Sequence, residues 1–309
     1  MTPTTVDPKI VAAAANAGHW AELAGGGQVT EQIFADHVEE LKGLLEPGRA
    51  VQFNSMFLDP YLWKLHVGGK RLVPRARAAG APFDGVVVTA GIPELEEAVS
   101  IIEELTEAGI SYVAFKPGTV AQIRSVIRIA NEVPNYPVIV HIEGGRAGGH
   151  HSWEDLDDLL LATYAELRTR SNLVLCVGGG IGTPERAADY LTGRWSTAHG
   201  FPAMPLDGIL VGTAAMATLE ATTSPEVKRM LVETPGTPDW VAPAPPPAAW
   251  PPAVASWART STRSTTRRPA RAACSTRSRA TPRPWPRAAT RSSPRSTSPR
   301  SRTSATSPR

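Results

Sequence analysis

Seven short apolar runs, rich in β-branched residues, recur through residues 1–240, and segments of helical periodicity separate them. They begin near residues 20 (WAELAG), 50 (AVQFNSM), 84 (DGVVVTAG), 110 (ISYVAFKPG), 137 (PVIVHIEGG), 172 (NLVLCVGGG) and 207 (DGILVGTAA), at intervals of 26 to 35 residues. Segments such as PELEEAVSIIEELTEAG and TVAQIRSVIRIANEV carry apolar residues at helical spacing. Helix starts are marked by Asp7 before Pro8, Pro93 before Glu94, Thr183 before Pro184, and Ser152 three residues before Asp155. Strands this apolar, alternating with helices, predict a parallel sheet covered on both faces.

Two α/β architectures satisfy that rhythm: a (β/α)8 TIM barrel, or an open doubly wound sheet of seven strands. A barrel needs eight strands, and MTPTTVDPKIVAAAANAG reads as a loop followed by a helix. The expectation is therefore a barrel whose first strand lies upstream of Met1. Its two unpaired edges predict poor solubility for the chain alone, relieved by about 15 upstream residues. Asn54, Thr89, Lys116, Glu143 and the glycine clusters favour the barrel. All are expected at the C-terminal ends of strands, where barrel enzymes carry their sites.

The formal net charge of +3 hides two unlike pieces. Residues 241–309 contain only Ala, Pro, Arg, Ser, Thr, Trp, Val and Cys, with 14 Arg and no acid. Residues 1–240 hold 18 Lys and Arg against 29 Asp and Glu, eleven negative charges in excess. A basic low-complexity tail suits either a nucleic-acid-binding arm or a disordered linker. A third reading accounts for more of its composition. Only Val241 and Val254 lack a C or G at the second codon position, so 67 of the 69 residues fit an out-of-frame translation of a GC-rich gene. On that reading the tail has no evolved role and nucleic acid is not a partner. Translating the same DNA in its other frames checks it.

There is no apolar run of about 18 residues, as a membrane span requires. No basic segment followed by an apolar one opens the chain, and the two cysteines, Cys176 and Cys274, lie in unlike contexts. These features suggest a cytoplasmic protein.

Two strand ends read as a phosphate site. Gly178, Gly179 and Gly180 follow the sixth run, with a helix due near Pro184, and Gly212 and Thr213 follow the seventh. Such glycines also make ordinary tight turns, but two clusters on adjacent strands match the position of a barrel's phosphate loops. In IEGGRAGGHH, Gly144, Gly145, Gly148 and Gly149 permit close passage over a flat ligand. His150 and His151 follow, just before the segment SWEDLDDLLLATYAEL. Adjacent histidines diverge and no further ligand lies at a metal-like spacing, so a general acid or a structural role remains for them.

The stretches MTPTTVDPKIVAAAANAGHWAELAGGG, FKPGT, GGRAGGHHSWED, YLTGRWST and AMPLDGILVGT resemble the enoyl reductase domain of type I fatty acid synthases of the bacterial and fungal kind. The resemblance covers residues 1 to about 240 in order. AGGH alone is also found in flavin barrels similar to nitronate monooxygenases, which lack HHSWED and LTGRWST. The resemblance implies an FMN-containing (β/α)8 barrel, residues 1–240. It would reduce trans-2-enoyl thioesters on an acyl carrier protein with NADPH or NADH, alongside other synthase domains. The chain then reads as a fragment of a protein that is homo-oligomeric at full length. The competing readings are a nitronate monooxygenase-like oxidoreductase and a catalytically dead fragment.

The implied roles follow residue by residue. Gly179, Gly180, Gly212 and Thr213 would hold the FMN phosphate, and Asn54 and Thr89 the isoalloxazine edge. Thr2, Gly148 and Gly149 would be further cofactor contacts. Lys116 would stand by the ring's N1 and C2 carbonyl and stabilise its anionic reduced form. His150, with His151 second, would protonate the substrate α-carbon.

Overall fold

The computed structural model describes residues 3–147 and 151–234, which lie within one compact unit, Met1–Arg263. Thr2, Gly148, Gly149, His150 and the tail from residue 241 lie outside the described residues.

All seven apolar runs form strands: β1 (Glu22–Ala24), β2 (Val51–Met56), β3 (Phe83–Thr89), β4 (Tyr112–Phe115), β5 (Val138–Glu143), β6 (Leu173–Gly178) and β7 (Gly208–Leu210). They make one sheet in the order β1-β2-β3-β4-β5-β6-β7, every neighbour pair parallel. A doubly wound sheet reverses its strand order at a switch point. This sheet has no reversal, so that alternative is excluded. What stands is an α/β fold with a curled, partial TIM-like sheet of seven strands.

Helices α1 (Pro8–Asn16), α2 (Glu31–Leu44), α3 (Pro60–Trp63), α4 (Leu72–Ala78), α5 (Leu95–Glu107), α6 (Val120–Glu132), α7 (Leu156–Leu167), α8 (Pro184–Thr192), α9 (Arg194–Thr197) and α10 (Pro225–Glu233) fill the connections. Several starts were legible because the caps are local. Asp7 accepts from the Lys9 amide at 2.9 Å, and Thr183 from the Arg186 amide at 3.3 Å. One mark was misread. Asp155, not Ser152, caps α7, accepting from the Asp157 amide at 2.9 Å. The Ser152 hydroxyl instead donates to the Gly118 carbonyl and accepts from the Glu154 amide, tying α7's approach to the loop after β4. After Pro93 the helix begins at Leu95, with Glu94 as an N-cap whose side chain makes no cap bond. A π-helical turn, Lys64–Gly68, continues α3 and was not foreseen. Among the described residues no helix is long and apolar enough to cross a membrane.

Alternate residues of the strands face opposite ways, and the two faces differ. One set, including Leu23, Phe53, Phe83, Val86, Val88, Val113, Phe115, Val140, Ile142 and Val177, packs into the main core with the helices and is essentially inaccessible. Each such side chain contributes about 1.5–3 kcal/mol by burial. The other set starts with a small apolar cluster: Val87, Tyr112, Ala114, Ile139 and Cys176. The Tyr112 ring lies over Gly85, where an added Cβ would come within 2.1 Å of it, and stacks on Trp20 at 5.5 Å. This aromatic plug fills the N-terminal end of the inner face. The buried polar side chains of the inner face are Glu22, Gln52, Asn54, Lys116 and His141.

Candidate functional site

Lys116, the residue after β4, points across the inner face rather than out of it. Its ammonium lies 3.1 Å from Glu22 Oε1 on β1 and 3.6 Å from Glu143 Oε1 at the end of β5. The three side chains are 2 %, 6 % and 14 % exposed, so this is an interior ion cluster. In a flat sheet β1 and β4 would stand roughly 14 Å apart, three strand spacings. The direct contact requires the sheet to curl until its first and fourth strands face each other.

Glu22 organises its neighbours as well. Its Oε1 accepts from Asn54 Nδ2 at 2.7 Å, and its Oε2 from Gln52 Nε2 at 3.5 Å. A carboxylate accepts only, so both amides turn their NH2 groups toward it. Asn54 Oδ1 and Gln52 Oε1 are left buried without a partner, as is His141 Nε2 on β5. Burial would lower the Lys116 pKa, but attraction by Glu22 and Glu143 outweighs it and raises the value. Burial, reinforced by the Lys116 charge, holds His141 well below its ordinary range, so the ring is neutral at physiological pH. Cys176 lies one strand over, its thiol pushed up to about 12 chiefly by burial. It is an inert packing group.

The glycines at the ends of β6 and β7 form the neighbouring part. Gly179 and Gly180 have φ of +104° and +73°, a backbone that side chains rarely adopt. A Cβ on Gly179 would meet the Ala147 amide nitrogen at 2.9 Å, and one on Gly180 the Arg146 Cβ at 3.0 Å. The turn is therefore pressed against the loop after β5 and leads to α8, capped by Thr183. A Cβ added at Gly182 would come within 3.7 Å of Ala214, so this turn and the segment after β7 lie near each other. Gly212 precedes a short 3-10 turn that begins at Thr213.

Several expected positions are changed by these contacts. Asn54 sits inside β2 rather than at its end, fully buried on the inner face. Thr89 is the last residue of β3, followed by Ala90 at φ +58°, a strained position for a residue with a Cβ. Lys116 is held by two carboxylates, not free to act as a lone cation. Gly144 is explained by packing. A Cβ there would lie 2.5 Å from the Leu156 Cβ at the start of α7, so it admits a helix rather than a ligand. His151 is half-buried, while His150, Gly148, Gly149 and Thr2 lie outside the described residues.

Glu22, Gln52 and His141 were not anticipated. Glu22 read as one acid in a short edge run, and no local pattern announces a partner 94 residues away. An acid embedded in an apolar run directly before three glycines was the one available signal.

Buried acceptors without partners fit a ligand edge that offers N–H donors. Left-handed glycines beside a capped helix start leave backbone amides open to an anion. The glycine turns stand at the C-terminal ends of β6 and β7, and the unpartnered acceptors within β2 and β5 on the inner face; in chemistry these residues fit a flat heteroaromatic ring with a phosphate tail. Among the described residues no group of three or more His, Cys, Asp or Glu is arranged to hold a metal ion.

A family model described as "Fatty acid synthase subunit beta/Fas1-like, helical" matches residues 137–269, which extends past the compositional boundary at 240. The fatty acid synthase beta subunit pkiC of Emericella nidulans is 42% identical over 241 residues, covering 77% of this chain and 12% of that protein. The fatty acid synthase subunit beta of Saccharomyces cerevisiae is 38% identical over 239 residues, covering 77% and 11%. The chain thus spans only about an eighth of the length of these curated relatives. Among solved structures, the enoyl reductase domain of MlnA from the macrolactin biosynthesis cluster of Bacillus amyloliquefaciens superposes with a TM-score of 0.51. At 15% identity, over 76% of this chain and 56% of that one, it shows likeness of fold alone. By sequence, the chain is homologous to a stretch of fungal fatty acid synthase beta subunits.

Proposed function

We propose that residues 1–240 are an FMN-dependent enoyl reductase region of a type I fatty acid synthase, reducing enoyl thioesters carried on an acyl carrier protein. The observation that carries this reading is the buried polar lining of the inner face, together with the glycine turns after β6 and β7. Homology to fungal fatty acid synthase beta subunits supports it. On the same reading the seven strands belong to a (β/α)8 barrel, with one more strand between the edges β1 and β7.

FMN, when bound, would supply a two-electron carrier between NAD(P)H and the β-carbon of the enoyl thioester. Gly179, Gly180, Gly212 and Thr213 would hold its phosphate through backbone amides and a hydroxyl. Asn54 and Gln52 would present acceptor oxygens to the ring edge, with Thr89 beside them. Tyr112 and Trp20 stack on one another at the start of β4 and just before β1. His150, or failing it His151, would deliver the proton that the α-carbon requires.

Exchanging each histidine in turn tests the acid. With His150→Ala, FMN should remain bound and NAD(P)H should still reduce it, because neither event needs that proton. Enoyl thioester reduction should fall roughly 10²- to 10⁴-fold, the contribution of a positioned general acid. Loss of FMN from His150→Ala would make the residue structural. A larger defect in His151→Ala would transfer the role to its neighbour.

A further inference from the structure

Two carboxylates meet one ammonium in the interior cluster. Glu143 at 3.6 Å would by itself neutralise Lys116, yet Glu22 approaches closer, at 3.1 Å. The formal sum of the three side chains is one negative charge, in a place with little solvent to screen it. His141 adds no charge, being held neutral by burial. Nor is Glu22 there merely to be satisfied by its neighbours. It draws the NH2 groups of Asn54 and Gln52 to itself and leaves their oxygens, the negative ends of the amide dipoles, unpartnered. Charge and dipoles therefore share a sign. A lone lysine would favour electron uptake by a nearby ring; this cluster opposes it.

We propose, resting on the reading that the site takes FMN, that Glu22 is a positioning residue that sets the electron affinity of the bound flavin. By holding Lys116 and orienting the amides of Asn54 and Gln52, it keeps the site one negative charge in surplus and disfavours the reduced ring. A weakly held hydride suits delivery to the β-carbon of an enoyl thioester. The electron balance is unchanged: a hydride enters from NAD(P)H, a hydride leaves to the β-carbon, and a proton reaches the α-carbon separately.

The test is a dye-equilibrated reductive titration of the purified full chain loaded with FMN. In Glu22→Gln the preference for reduced over oxidised FMN should rise at least about tenfold, a shift of about 30 mV for a two-electron couple. The double variant Glu22→Gln/Lys116→Gln restores the original formal charge through Glu143. Its preference should return close to that of the unaltered protein, a rescue that a merely structural role does not produce. If Glu22→Gln does not fold, Glu143→Gln makes the same change of charge and should show the same shift. An unchanged potential in the folded single variant overturns the role of Glu22 while leaving the flavin reading intact. A double variant that stays at the single variant's potential also overturns it, since contact rather than charge would then be responsible. Absence of FMN binding by the unaltered chain overturns the flavin reading and this proposal with it.

Discussion

Phe53 and Asn54 are consecutive residues of β2, both fully buried, and they belong to two different environments. Phe53 looks toward the helices, where its ring meets Phe34 and Phe83 with centroids 5.6 Å away from each. Asn54 looks inward, where it gives its NH2 to Glu22 and keeps an oxygen without a partner. The outer face of the sheet packs as a hydrophobic core. The inner face does not, having an excess of charge and three orphaned polar atoms shared between β2 and β5. An unpaired buried polar atom costs about 1–3 kcal/mol. The difference shows where stability is generated and where it is given up for a site.

The comparison is tested most severely by truncating the outer face. Phe53→Ala should lower the unfolding free energy by about 3–5 kcal/mol in denaturant titration, from lost burial and an unfilled cavity. A loss under about 1 kcal/mol would mean that the outer face is not the main core.

Lys116→Met attacks the inner face. It removes the cation and leaves Glu22 and Glu143 with no counter-charge, which should cost about 3 kcal/mol at neutral pH. The loss should shrink on acidification, because protonating a carboxylate relieves it. If Lys116→Met were as stable as the unaltered chain at neutral pH, the cluster would not be the closed ion group described here.

The smallest expected effect concerns His141. Its folded-state pKa is depressed below the ordinary 6.5, so the unfolded chain binds the proton first as pH falls. Its contribution therefore favours the folded state above that value and is lost progressively as pH drops below it. Between pH 6.5 and 5.5 the loss is about 1 kcal/mol for one such group. His141→Gln should flatten the stability profile in that window by this amount. Identical slopes in the two proteins would show that the imidazole is not held neutral by its surroundings.

By itself the sequence determined the succession of strands and helices. β-branched apolar runs, helical periodicity and cap residues such as Asp7 and Thr183 act within a few residues of themselves, so no distant contact is needed to read them. It also marked Lys116 and Glu143, because charged residues at the ends of buried strands stand out against their runs. It did not show that Glu22 would meet Lys116, that Gly144 would make room for Leu156, or that Asp155 rather than Ser152 would cap α7. The cap was a choice between two competent neighbours, settled when Ser152 bonded to Gly118. All three were decided by tertiary structure. A strand's two-residue period says which face a side chain takes, but the partner it finds there depends on how far the sheet curls and how its strands are staggered. Both are collective outcomes of packing all the helices against the outer face, and no local stretch of sequence contains them.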